Sequence, residues 1–372
     1  MEKKLLIIVE DDFEVLGNGL GNVADLQYLP ALSLMNIAEE LGIKLTFMVD
    51  VAHLLTLNKY QQADPNMRIQ KKIWDETVLM MKERGFDVQL HLHPQWLNAT
   101  YKKGYFYLSD NWNIGCYEPS AQRKLIRESI EYLTTLLRQA DSSYSVIAFK
   151  AGSWGLQPSD SLLSELMNSG IRLVVGVRHG LEISEASVDY SQLEEKHLPY
   201  HPQFSDINKV APSRNSLVIL PLQPYSPNLF TLFRLSVHEI MSRMRYKTNL
   251  PFYHYKKIPN NIKALSPLSG MNNIKFSTHP YLTHLKIGDQ PFSYLKNSFD
   301  VVIRNLLTLG TDRIPVVIES HTKQYPNYYE HVKRFLTYIA ECYGDQAEFI
   351  DMTGFLKEVE LNQNIVRTKN EN

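Results

Sequence analysis

Leu5-Leu6-Ile7-Ile8-Val9-Glu10-Asp11-Asp12 stands near the start of the chain: five apolar residues, three of them β-branched, then three acids. A run of that length and composition, ended by charge, reads as a fully buried strand. The design recurs three times. Val88-Gln89-Leu90 leads into His91-Leu92-His93-Pro94. Val146-Ile147-Ala148-Phe149 leads into Lys150-Ala151-Gly152-Ser153-Trp154-Gly155. Ile314-Pro315-Val316-Val317-Ile318 leads into Glu319-Ser320-His321. Each run ends on residues that bind metals or move protons. Parallel α/β barrels deliver the C-terminal ends of their strands to one face, where catalytic groups collect.

Outward from these four runs, strand and helix patterns alternate, which predicts parallel βα units. Further strands are expected at 44–49, 173–177, 217–220, 274–278 and 349–350. Helices are expected at 29–41, 69–84, 120–139, 159–168, 294–309 and 328–341. The first helix carries Leu32, Met35, Ile37, Ala38 and Leu41 near helical spacing, with Gly42 suited to its C-terminal end. Between about 227 and 273 the alternation stops. Seven Lys or Arg and one Glu fall between Asn228 and Lys263, part of which reads as an amphipathic helix. This stretch is expected to be an insertion in one barrel domain spanning 1–361. Residues 362–372 form a polar tail expected to fray.

The chain has 372 residues, 44% apolar and 21% charged, enough for a substantial core. A formal charge of −1 offers no basic field for nucleic acid. Cys116 and Cys342, the only cysteines, suit two free thiols better than a disulfide framework or a cysteine zinc site. Met1-Glu2-Lys3-Lys4 looks like a signal n-region, but the apolar run behind it is shorter than the roughly 7–15 residues of a secretory h-region. No stretch approaches the roughly 20 apolar residues of a membrane span. A cytoplasmic protein is the expectation.

Two adjacent carboxylates, Asp11 and Asp12, can divide labour beside a cation if a turn brings both to one cavity: one ligates, the other acts as base. The pair also reads as a solvated acidic loop or a helix cap. His91 and His93, at i and i+2 of an extended segment, point to one side and suit a divalent ion. Asp12 added to that pair makes an Asp-His-His set with open positions, as a hydrolytic metal site requires. Pairs of core or surface histidines are the plainer alternative.

Taken in order, these motifs resemble the polysaccharide deacetylase, or NodB-homology, family of metal-dependent carbohydrate esterases, from Leu5 to about Leu356 and outside the basic insertion. The resemblance implies a distorted (β/α)7-type barrel. It also implies one divalent metal ion, expected to be zinc, with Asp12, His91 and His93 as ligands and Asp11 as base. The histidines depart from the family's i, i+4 spacing. Phe149-Lys150-Ala151-Gly152-Ser153-Trp154-Gly155 resembles the third motif, with Lys150 where arginine is usual; lysine keeps the charge and loses the bidentate fork. Trp154 becomes an apolar wall for a sugar ring. Asp189 resembles the aspartate that tunes the site, and Ser320-His321-Thr322 resembles the last motif, making His321 the general acid. His279, after Phe276-Ser277-Thr278, lines the same cleft or shares the acid role, and Trp96 flanks the pocket.

The implied reaction is removal of an N-acyl, usually N-acetyl, group from an amino sugar. The expected substrate is a glycan or a lipid-linked precursor, with the basic stretch 228–263 either touching phosphate or an anionic membrane face or simply solvated. Two alternatives stand beside it: a metal-dependent hydrolase of another C–N or phosphoester bond, and a sugar-binding protein with a decayed site.

Overall fold

Strand β1 (Lys4–Phe13) runs beyond its apolar stretch, so the acids at 10–12 lie inside the strand and not in a turn after it. The computed structural model describes residues 3–371 apart from 18, 20, 103, 228–231, 234, 236, 238–274, 277–281, 322 and 324–328. His279 and nearly all of the basic insertion fall outside the described residues.

The central sheet adds β2 (Thr46–Asp50), β3 (Asp87–Leu92), β4 (Ala148–Ala151), β5 (Leu173–Val175), β6 (Val218–Leu220), β7 (Lys286–Ile287), β8 (Arg313–Ser320) and β9 (Ala347–Phe349). Its order is β6-β5-β4-β3-β2-β1-β8-β7, and every pairing is parallel. β1 pairs with β8 from Lys4 to Asp11 on one edge. On the other edge it meets β9 at its start and β2 at its end. The α-helices bounded within the described residues are α1 (Leu29–Leu41), α2 (Val51–Tyr60), α3 (Pro65–Glu83), α4 (Pro119–Leu137), α5 (Asp160–Asn168), α6 (Phe292–Leu306), α7 (Tyr329–Tyr343) and α8 (Met352–Leu361). The sheet curls into an incompletely closed, distorted (β/α) barrel.

Alternation along β1 sorts its residues between two cores. Leu5, Ile7 and Val9 pack in the large cluster with the helices. Leu6 and Ile8 pack with Met48, Val175, Leu220 and Val317 in the barrel interior. Met352, Phe355, Ile365 and Val366, from α8 and the segment after it, complete that interior cluster. Each such side chain, fully buried, contributes on the order of 1.5–3 kcal/mol. The residues following Leu6 and Ile8 on the same face are Glu10 and Asp12. The interior is thus apolar at the N-terminal end of β1 and charged at its C-terminal end.

Two glutamine side chains complete the sheet where backbone pairing fails. Gln89 Oε1 accepts from Ile147 and Ala148 N–H, both at 2.9 Å, beside the start of β4. Gln223 donates to the Pro315 carbonyl at 3.3 Å and accepts from Val317 N–H at 2.9 Å, spanning the seam between the segment after β6 and β8. Such pairing removes the cost of buried unsatisfied backbone groups.

The tail does not fray. Arg367 N–H donates to the Pro199 carbonyl at 2.7 Å, Lys369 N–H donates to the Ala211 carbonyl at 2.9 Å, and Ile365 and Val366 are buried. Their apolar side chains reach the barrel interior, which the polar composition of the segment concealed. Helices α2 and α8 were not anticipated. α2 begins directly where β2 ends, with Asp50 as its cap. Among the described residues, no helix is long and apolar enough to cross a membrane.

Candidate metal centre

Because β1 stays extended past Asp12, its side chains keep alternating. Glu10 and Asp12 turn inward, and Glu14, just beyond the strand, joins them. Asp11 turns to the other face, where it accepts a hydrogen bond from the Ser320 hydroxyl at 2.7 Å. This corrects the expectation that Asp11 and Asp12 share one cavity: no turn intervenes to bring them together.

Lys150, at the end of β4, is the centre of the inner charge cluster. Its ammonium lies 2.7 Å from Glu10, 2.9 Å from Asp12 and 3.1 Å from Glu319. Burial alone would push the Lys150 ammonium down, but the three carboxylates overcome it and hold it well above the usual lysine range. Burial raises Glu10 well above the ordinary carboxylate value. Glu319 and Asp12 are held below theirs, because Lys150 and the neighbouring histidines outweigh the burial cost. Lys150 therefore compensates three buried acids at once and is not an exposed surface lysine.

Glu14, His91 and His93 come together at the mouth. Glu14 Oε2 is 3.4 Å from His91 Nε2 and in direct contact with His93 Nε2, while Lys323 Nζ contacts the other oxygen, Oε1. These ligand atoms all lie within 4.8 Å of one another. A second set, Asp12, Glu14 and His321, meets the same criterion and shares Glu14. His321 Nε2 is 3.1 Å from Asp12 and 3.7 Å from Glu14.

The first set fits a divalent ion in detail. His91 Nδ1–H donates to the Lys150 carbonyl at 3.0 Å, which leaves the Nε2 lone pair aimed at the cluster. His93 Nδ1 is 2.9 Å from the Gln95 amide nitrogen, and Gln95 Oε1 is a buried oxygen without a hydrogen-bond partner. Turning that amide lets Oε1 accept from His93 Nδ1–H and frees Nε2 as a ligand. Asp50 steadies the segment: its Oδ1 accepts from His93 N–H at 3.2 Å while capping α2. Two imidazoles and one carboxylate are a donor set that zinc and similar ions take.

The loop after β4 packs against these ligands. A Cβ on Gly152 would stand 2.6 Å from His93 Nδ1, so any larger residue would have to displace that ring. Ser153 and Trp154 follow with φ of 53° and 55°, the left-handed region that non-glycine residues occupy at a cost of about 1–3 kcal/mol each. Tyr190 OH donates to the Trp154 carbonyl at 2.6 Å and helps hold that conformation. Trp154 reaches the cavity wall, with the Arg178 guanidinium 5.5 Å from its ring centre. Arg178 donates to His284 Nδ1 at 2.8 Å, and His284 Nε2 lies 3.3 Å from Glu319. Burial pushes His284 down to about 4.

The resulting cavity is about 300 Å³ and is lined by Asp12, Glu14, His91, His93, Lys150, Trp154 and His321, with Trp112, Lys286 and Lys323 among the rest. All of these but Glu14, Trp112, Lys286 and Lys323 were expected from the sequence, and Asp11, also expected, is turned away. Trp96 is buried against His53 and Phe106 and is not part of the lining; Trp112 holds a wall position instead. Asp189 is exposed, caps Ser191 N–H, and is likewise outside the cavity. Glu14, His284, Arg178 and Lys323 were missed, and Glu10 and Glu319, quoted at their strand ends, were given no role. The acids Glu10, Asp12 and Glu14, at i, i+2 and i+4, were the signal that could have found Glu14 and placed Glu10 beside it.

No family model matches the sequence, and no curated protein matches it. Solved structures are similar in fold. A putative polysaccharide deacetylase from Mycobacterium smegmatis matches over 99% of this chain and 93% of its own, at 12% identity and a TM-score of 0.50. Puue allantoinase matches over 97% of this chain and 91% of its own, also at 12% identity and 0.50. A putative glycoside hydrolase/deacetylase from Parabacteroides distasonis matches over 97% of this chain and 72% of its own, at 13% identity and 0.54. The chain therefore has the distorted (β/α) barrel fold of the polysaccharide deacetylases, as a sequence-divergent representative of it.

Proposed function

We propose that this protein is a metal-dependent hydrolase that removes an N-acyl group, in the first instance N-acetyl, from an amino sugar. The observation that carries the reading is the meeting of Glu14, His91 and His93 with the hydrogen-bonded Asp12–His321 pair in one cavity, at the C-terminal ends of parallel strands. Glu14, His91 and His93 would hold one ion, with zinc the proposed metal. When bound, such an ion polarises an acyl oxygen and acidifies water.

The chain's own residues do the rest. Asp12 takes the role first expected of Asp11. Its Oδ2 is held by Lys150 and His321, and its Oδ1 is a buried oxygen without a hydrogen-bond partner, ready to accept the proton of the attacking water. His321 Nε2–H donates to the leaving nitrogen, and the Asp12 carboxyl group, turning its protonated oxygen toward Nε2, returns that proton to His321 across the Asp12–His321 contact. Lys150 is a positioning residue that keeps Asp12 ionised in the buried cluster. Trp154 and Trp112 offer apolar walls for a sugar ring. The proposed substrate is a glycan or lipid-linked precursor met in the cytoplasm, with the basic stretch 228–263 as the proposed contact to phosphate or an anionic membrane face.

The test is acetate release from N-acetylated sugars by zinc-loaded protein. Asp12→Asn should lose roughly a hundredfold or more in kcat while still binding zinc. Full turnover in that variant would refute the assignment. The likeness to an allantoinase fold favours a second reading, hydrolysis of a C–N bond outside sugars, which ring-opening assays on cyclic amides would reveal.

A further inference from the structure

The two ligand sets share one residue. Glu14 belongs both to the group with His91 and His93 and to the group with Asp12 and His321. A carboxylate common to two such groups is how two-metal sites are bridged, with ions about 3.5–4 Å apart. Oε2 of Glu14 faces the histidine pair, and Oε1 lies 3.7 Å from His321 Nε2. By ligand count alone, a second ion would bridge from Oε1 to Asp12 and His321.

Lys323 decides otherwise. Its side chain is buried, its ammonium contacts Glu14 Oε1, and it donates to the Val15 carbonyl at 3.1 Å. The remaining carboxylate of the second set, Asp12, is already 2.9 Å from Lys150. Each acid of the second set is therefore already in contact with an ammonium: Glu14 with Lys323, and Asp12 with the Lys150 it shares with Glu10 and Glu319. A divalent ion placed there would meet two fixed positive charges within a few ångström in a water-poor site, where charge repulsion is weakly screened.

We infer that Lys323 is a built-in cation occupying the second-metal side of Glu14, and that it commits the centre to a single ion. The inference rests on the metal-centre reading above. It deepens that reading by assigning the residue that fixes how many ions the centre takes. Lys323 thereby sets the number of ions as a positioning residue, through its contacts to Glu14 and the Val15 carbonyl.

The experiment is zinc stoichiometry, measured by elemental analysis after stripped protein is loaded with Zn2+ and desalted. Circular dichroism melts would establish that each variant folds, and Lys323→Gln would replace Lys323→Met if the latter is unstable. The wild type and Lys323→Arg should each hold one zinc per chain. Lys323→Met should hold two, and adding His321→Gln to it should return the count to one. Two ions on the wild type, or one on the folded Lys323→Met and Lys323→Gln variants, would overturn the inference and leave the metal centre standing. No ion on the wild type would overturn the metal-centre reading itself, and this inference with it.

Discussion

Gly152→Ala is a one-carbon test of the metal centre made from outside the ligand set. The added Cβ would sit 2.6 Å from His93 Nδ1, 2.7 Å from Cγ and 2.8 Å from Cε1. Carbon and nitrogen atoms without a hydrogen bond settle near ~3.5 Å, so the ring must retreat by about 0.9 Å. Gly152 and His93 are both buried, and Asp50 holds the His93 backbone, so the retreat falls on the imidazole. Ligand distances tolerate only about 0.2 Å. A displacement several times larger should weaken zinc binding by about 10- to 100-fold, the range seen when supporting contacts of a ligand are lost. That is about 1.4–2.7 kcal/mol. Overpacking should cost a further ~1–3 kcal/mol of stability. Zinc titration against a competing chelator, paired with thermal melts in the presence and absence of zinc, reads both effects. Gly310→Ala, where a Cβ meets nothing within 4 Å, is the matched control. Wild-type zinc affinity in Gly152→Ala would refute the placement of His93 as a ligand.

Asp11→Asn should retain turnover within about tenfold, because its carboxylate hydrogen-bonds Ser320 on the far side of β1. Acetate-release kinetics set beside those of Asp12→Asn provide the comparison. Lys150→Met leaves Glu10, Asp12 and Glu319 buried without their shared cation and should destabilise the fold by about 3–5 kcal/mol, measured by urea unfolding. His53 is buried beside Trp96, and burial pushes its imidazole down to about 3. In the unfolded chain it binds a proton below its ordinary value of about 6.5, so its contribution is fully present above that pH and is lost as pH falls toward 3. His53→Gln should therefore flatten the stability-against-pH curve between about pH 6 and 4 by about 1.4 kcal/mol per unit. An unchanged slope would refute the neutral buried imidazole.

The strand ends were legible because chemistry follows a dense apolar run at each of them. α1 (Leu29–Leu41) ends where its spacing predicts, since glycine stops it at Gly42 with φ of 64°, but its start continues a π-helical turn, Ala24–Tyr28, that the spacing did not mark. Helix α2 was not legible: Val51-Ala52-His53-Leu54-Leu55 is almost continuously apolar and follows a strand without a break, so periodicity had nothing to separate. The site was half legible. Residues on one strand declare their shared face by parity, which brings His91 and His93 together and, read strictly, would have removed Asp11 and added Glu10 and Glu14. Contacts between distant segments carry no such mark. Nothing in the sequence ties Lys323 to Glu14 or Arg178 to Trp154; those pairings exist only once the sheet has curled.

The seam of the sheet has a mechanical meaning. Just after Gln223, Pro224 and Tyr225 pair antiparallel with His284 and Thr283, a two-residue clasp beside the barrel. Within it, His284 touches Arg178 on one side and Glu319 on the other. Whatever pulls on that clasp is felt directly by the buried acids, with one imidazole as the lever.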